Sequence, residues 1–120
     1  MEKIKLHEGE LNIMELLWSN KSLAAKDIAK IIKDYVGWEK NTTYTVIKRL
    51  IDKKAILRTE PGFICSALIS KQEIQQSATE ELIYHFYDNK LSEFISDYLG
   101  KQEFSNDDIK LLKQIIKNNE

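Results

Sequence analysis

The fold class predicted for this chain is mainly α: an N-terminal winged helix-turn-helix with a short β-hairpin wing, followed by a C-terminal helical dimerisation region. Three observations predict it. Apolar residues recur at helical spacing through most of the 120 residues. That period breaks once, into a strand-turn-strand stretch centred on Glu60-Pro61-Gly62. The stretch Asn41–Lys54, NTTYTVIKRLIDKK, sorts into two faces when wound as a helix. Thr43, Val46, Ile47, Leu50 and Ile51 make an apolar stripe. Asn41, Thr45, Lys48, Arg49 and Asp52 make a polar one, with Thr42 on its flank.

The elements follow in order. Glu8–Ser19 places Leu11, Met14, Leu17 and Trp18 at the spacing of a buried helical stripe, and Asn20-Lys21 ends it. Ser22-Leu23-Ala24-Ala25 reads as a short extended entry. Ala24–Asp34 carries Ile28, Ala29, Ile31 and Ile32 as a second amphipathic helix, with Gly37 as its C-cap. The third helix is opened by Asn41 or Thr42 as N-cap. Trp18 and Trp38 are packing residues. Three short helices joined by tight turns form a helix-turn-helix.

Beyond Lys54 the period changes from helical to extended. Ala55–Thr59 and Phe63–Ile69 read as two strands around the Pro-Gly turn. This wing carries little charge at its tip. It promises a weaker nucleic-acid contact than the third helix. Cys65 sits mid-strand as a small packing residue. Ser70 with Glu73 forms a capping-box pattern. It opens a helical run, Lys71–Leu99, that reads either as one long helix or as a helix broken near Asp88-Asn89, with a stop at Gly100. Ser105-Asn106-Asp107-Asp108 caps a last helix with Ile109, Leu112, Ile115 and Ile116 on one face.

Composition bounds the function. The chain is one domain or one small domain with an appendage, with a boundary expected between residues 1–70 and 71–120. A hydrophobic content of 42% supports a core, and 31% charged residues with one Pro and four Gly suit a helical protein. No apolar run is long enough to span a bilayer, and MEKIKLHEGE lacks a secretory segment, so the expected location is the cytoplasm. A single cysteine precludes an internal disulfide. His7 and His85 are isolated, and no phosphate loop, metal-ligand spacing or nucleophile motif is present. The chain therefore reads as a non-enzyme with no metal and no cofactor.

Charge distribution is more telling than the net −1. Residues 1–70 hold 12 cations against 9 anions, and residues 71–120 hold 6 against 10. Within Lys40–Arg58 there are six cations to one anion, Asp52. A local basic patch fits contact with a polyanion. On the third helix, Asn41, Thr42 and Thr45 are placed to address base edges. Arg49 is placed to meet guanine or phosphate, and Lys48 and Lys53 to meet phosphates. In the tail, Leu82, Phe86, Leu91, Phe94, Ile95, Tyr98, Leu112 and Ile116 need an apolar surface that a winged-helix core does not supply. A second copy of the chain is the simplest source.

These residues resemble a known family. Trp38…Thr42-Thr43-Tyr44-Thr45-Val46-Ile47-Lys48-Arg49-Leu50…Lys53 is similar to the recognition helix of the penicillinase repressor and methicillin-resistance repressor family. Glu10-Leu11…Met14…Leu17-Trp18 is similar to that family's first helix, and Phe104-Ser105-Asn106-Asp107-Asp108-Ile109…Leu112…Ile115 to its last. Thr43, Lys54 and Asn41 depart from the usual aliphatic, Gly and Lys. The tail lacks the paired cysteines of the copper-responsive branch. The resemblance implies a homodimeric repressor on a double-stranded dyad operator, with TACA/TGTA half-sites, before β-lactamase or related resistance genes. It also implies relief by proteolysis in the C-terminal half, triggered by a membrane metalloprotease sensor, and alignment puts the cut at Asp97-Tyr98. The alternatives are a winged helix used as a protein-interaction module and a small-molecule-gated regulator of other genes.

Overall fold

The computed structural model describes residues 4–120. Among these the order is α1 (Glu8–Ser19), β1 (Leu23–Ala24), α2 (Ala25–Val36), α3 (Lys40–Asp52), β2 (Ile56–Thr59), β3 (Ile64–Ala67), α4 (Lys71–Phe86), α5 (Leu91–Leu99) and α6 (Asn106–Asn118). The fold is mainly helical with a winged helix-turn-helix. The chain forms two compact units, one running to Glu81 and the other spanning Leu82–Glu120.

In the first unit α1, α2 and α3 surround a core of Ile13, Met14, Leu17, Ala25, Ile28, Ile32, Val46, Ile47 and Leu50. Ala55, Ile56 and Cys65 close it from the sheet side. The buried stripe of α1 is Glu10, Ile13, Met14 and Leu17, so Ile13 takes the place expected for Leu11, which is half-buried. Trp18 and Trp38 pack against this core, and the Trp18 indole N–H donates to Ile69 O at 2.9 Å. Gly37 ends α2 at φ 84°, where its N–H reaches Ile32 O and Lys33 O. A residue without Cβ takes that left-handed position at no steric cost.

The sheet has the order β1-β3-β2, antiparallel throughout. The short entry before α2 is thus a strand, pairing Leu23 with Cys65 and Ala24 with Ile64. The hairpin strands are shorter than the sequence suggests. Phe63 sits at φ 49°, outside the β region, so β3 starts at Ile64. Ala55 N–H closes back on Leu50 O at 2.9 Å, which ties it to the end of α3.

In the second unit the run is two helices and not one, parted at Asp88 and Asn89, both left-handed at φ 50° and 60°. Tyr87, Phe94 and Tyr98 form an aromatic cluster, with centroids 5.3 Å apart for the first pair and 6.0 Å for the second. Ser105 Oγ accepts from Asp108 N–H at 3.1 Å and caps α6. Neither α5 nor α6 buries a residue. Gly100 follows α5 in a right-handed conformation. A Cβ there would lie 2.9 Å from Ser96 O, so space rather than dihedral angle makes it glycine.

Candidate nucleic-acid interface

The sorting of α3 into two faces holds in three dimensions. Thr43, Val46, Ile47 and Leu50 are buried, whereas Asn41, Thr42, Thr45, Lys48, Arg49 and Asp52 are exposed. The exposed stripe from Asn41 to Asp52 runs for about 16 Å along the axis. The major groove is about 12 Å wide and admits such a helix.

The helix starts earlier than its sequence suggests. Lys40 opens it and Glu39 is the N-cap, with no side-chain capping bond. Asn41 and Thr42 therefore lie inside the first turn and are not spent on capping. Thr45 Oγ1 donates to Asn41 O at 2.9 Å. Its proton is used, so Thr45 offers outward a methyl group and acceptor lone pairs, which suit a thymine methyl or a base amine. Lys48 and Arg49 take part in none of the ion pairs among the described residues. Two uncommitted cations beside three short polar side chains can bind phosphate and read base edges together.

Lys53 stands apart from this group. Its Nζ lies 2.7 Å from Glu10 Oε1 and 2.9 Å from Lys5 O, with the side chain only 26% exposed. Its ammonium is the internal counter-ion of Glu10. Glu10 itself is 1% exposed. Burial opposes its ionisation most strongly. Lys53 and the His7 N–H, which donates to Oε1 at 2.8 Å, together still hold the carboxyl below the ordinary glutamate range. In the sequence Glu10 stands out only by its similarity to the family's first helix. The available signal was its place on the stripe of Ile13, Met14 and Leu17, where a carboxylate requires a buried partner.

A second arrangement was not foreseen. Tyr44 of α3 meets Phe63 of the wing edge-on, with centroids 5.8 Å apart. Lys40 Nζ lies 5.7 Å from the Tyr44 ring centre, and the Arg58 guanidinium lies 3.6 Å from that of Phe63. Arg58 also pairs with Glu60, whose other oxygen accepts from Phe63 N–H at 3.1 Å. The Phe63 N–H and then Arg58 hold the Glu60 carboxyl low. This chain of cations and rings fastens the wing to α3 and neutralises the wing tip.

In the second unit Leu82, Phe86, Leu91, Ile95, Tyr98 and Ile116 are exposed, while Phe94 and Leu112 are half-covered. The Asp97-Tyr98 bond lies in the last turn of α5. Asp97 accepts from Tyr87 Oη at 2.9 Å and pairs with Lys101 at 3.2 Å, and these two contacts, Tyr87 first, lower its pKa. Tyr98 stacks on Phe94. Cys65 is free and buried, and burial raises its pKa. Among the described residues no group of three or more His, Cys, Asp or Glu could hold a metal ion, and no helix is long and apolar enough to cross a membrane.

The penicillinase repressor family model matches residues 6–118. The penicillinase repressor of Bacillus licheniformis is 24% identical over 119 residues, covering 97% of this chain and 93% of its own. That of Staphylococcus aureus is 23% identical over 117 residues, covering 96% and 93%. The methicillin resistance regulatory protein MecI of Staphylococcus aureus strain N315 is 24% identical over 114 residues, covering 93% of each. The solution structure of the DNA binding domain of the repressor BlaI superposes with a TM-score of 0.56 at 23% identity, over 60% of this chain and 90% of that one.

Proposed function

The chain belongs to the penicillinase repressor family, and on that premise we propose that it is a homodimeric transcriptional repressor reading a dyad operator through α3. The observation that carries this reading is the exposed face of Asn41, Thr42, Thr45, Lys48 and Arg49 on a helix whose opposite face is core. Asn41, Thr42 and Thr45 address base edges, Arg49 meets guanine or phosphate, and Lys48 meets phosphate. Lys53 leaves the contact set because Glu10 holds it.

The dimer forms through the second unit. Leu82, Phe86, Leu91, Ile95, Tyr98 and Ile116 are exposed in the single chain, and a partner would cover them, with Phe94 and Leu112 behind. The genes controlled are β-lactamase or related resistance genes, and the repressor acts in the cytoplasm. Relief comes from proteolysis at Asp97-Tyr98, under a membrane metalloprotease sensor, which severs α6 from α5. The Tyr87–Asp97–Lys101 contacts must open before that bond is reached.

A gel-shift at physiological salt tests the reading. A duplex carrying a TACA/TGTA dyad should shift as one protein dimer per duplex. Thr45→Ala and Arg49→Ala should each weaken it by about 1–3 kcal/mol. Unchanged affinity in both variants would remove α3 as the reading element.

A further inference from the structure

Two consecutive residues at the start of α1 meet the two ends of α3. Before α3, Trp38 lays Cζ2 and Cη2 of its indole 3.3 Å from the point where a Cβ on Gly9 would stand. After α3, its C-cap Lys53 puts Nζ 2.7 Å from Glu10 Oε1. The helix between them has 13 residues and is about 20 Å long. Both ends of that rod are therefore anchored on one dipeptide. The first contact is closer than a Cβ on residue 9 would leave undisturbed. The second joins a carboxylate that is 1% exposed to an ammonium that also grips Lys5 O. A buried ion pair is weak evidence of net stability, and this one fixes the C-terminal end of α3 at hydrogen-bond distance from α1.

We infer that Gly9 and Glu10 are a two-point clamp that sets the attitude of α3, and that they are positioning residues for sequence discrimination which touch no DNA themselves. The inference rests on the DNA-reading role of α3. Base contacts require hydrogen-bond distances and angles, so a small tilt of the helix spoils them. Lysine and arginine reach phosphates on long flexible stems and follow a small tilt. The clamp therefore governs discrimination between sequences more than affinity for DNA at large.

Gly9→Ala separates this role from a merely structural one. Its methyl would meet Trp38 at 3.3 Å, so the indole must give by a few tenths of an ångström. Alanine at the same time favours α1 over glycine, so stability should hold or rise. The probes are duplexes recovered by the wild-type full chain from a random-sequence pool, against an unselected duplex of equal length. The ratio of the two affinities should fall about ten-fold in Gly9→Ala, the loss of roughly one base contact, with affinity for the unselected duplex little changed. Adding Trp38→Phe should restore the ratio. Glu10→Gln should lower it as Gly9→Ala does. Amide residual dipolar couplings should report a changed α1–α3 angle in Gly9→Ala and its return in the double variant. An unchanged ratio in Gly9→Ala overturns the inference. If the wild type recovers no sequence, the DNA-reading role of α3 fails instead. The couplings alone then decide the clamp, and unchanged couplings overturn it.

Discussion

Replacing Lys53 with Met keeps an unbranched apolar stem as far as the ε carbon and removes the ammonium. Glu10 is then left 1% exposed, with the His7 N–H as the remaining donor to Oε1 and no protein partner for Oε2. Breaking a buried pair by removing one partner costs about 3–5 kcal/mol. Lys53 is 26% exposed, so water recovers part of that, and the expected loss at neutral pH is about 2–3 kcal/mol. That is a large share of a typical domain stability of about 5–15 kcal/mol.

The pH dependence distinguishes this cause from lost packing. In the wild type the folded pKa of Glu10 lies below its unfolded value of about 4.3. Its contribution is thus present above that value and is lost as pH falls through the folded pKa. In Lys53→Met, desolvation outweighs the single N–H and the folded pKa rises above the unfolded one. The variant's penalty is then full at neutral pH and fades on acidification, so the gap to the wild type narrows as pH falls toward the unfolded value. Urea unfolding followed by Trp18 and Trp38 fluorescence, at fixed protein concentration and two pH values, measures both effects. A loss below about 1 kcal/mol at neutral pH, or a gap that does not narrow, would refute the assignment of Lys53 as the counter-ion.

Four further outcomes are expected. Phe86 is 79% exposed in the single chain, so Phe86→Asp should leave each chain folded. Two copies of a lost apolar contact should weaken the dimer by about 3–6 kcal/mol, read by sedimentation as monomers at micromolar concentration. Phe94→Asp, by contrast, should also disturb its own unit, because Phe94 packs between Tyr87 and Tyr98. Truncation after Asp97 should abolish dimerisation and tight operator binding, and a truncated chain that dimerises normally would remove cleavage there as the inducing event. Lys54 stands at φ 66°, a conformation costly for a residue with Cβ, so Lys54→Gly should stabilise the chain by about 0.5–1 kcal/mol in urea unfolding.

What was legible in the sequence was what local chemistry decides. Gly37 as a left-handed cap, Ser70 and Ser105 as N-caps, and the break at Asp88-Asn89 each depend on a few neighbouring residues. The two faces of α3 followed from its period. The start of α3 was misplaced because Asn and Thr are good caps in isolation. Here Glu39 is the N-cap, two residues before Asn41 and three before Thr42, and Lys40 is held over Tyr44. Ile13 and not Leu11 is buried because the inward face of α1 also carries Glu10, and a charged residue reads as surface until its partner is known. That partner, Lys53, lies 43 residues away, and no local pattern encodes the pairing. The coupling of Tyr44, Phe63 and Arg58 escaped for the same reason, since it depends on how the hairpin folds back on α3.

The central claim is that two copies of α3, fixed in one dimer, read two half-sites on the same side of a duplex. Helical phasing tests it most directly. The affinity of the full chain is measured for an operator duplex with about 5 or about 10 base pairs inserted at the dyad. The half-turn insertion should abolish tight binding, and the full-turn insertion should restore a substantial part of it. Equal tolerance of both insertions would contradict a rigid dimer reading DNA through α3.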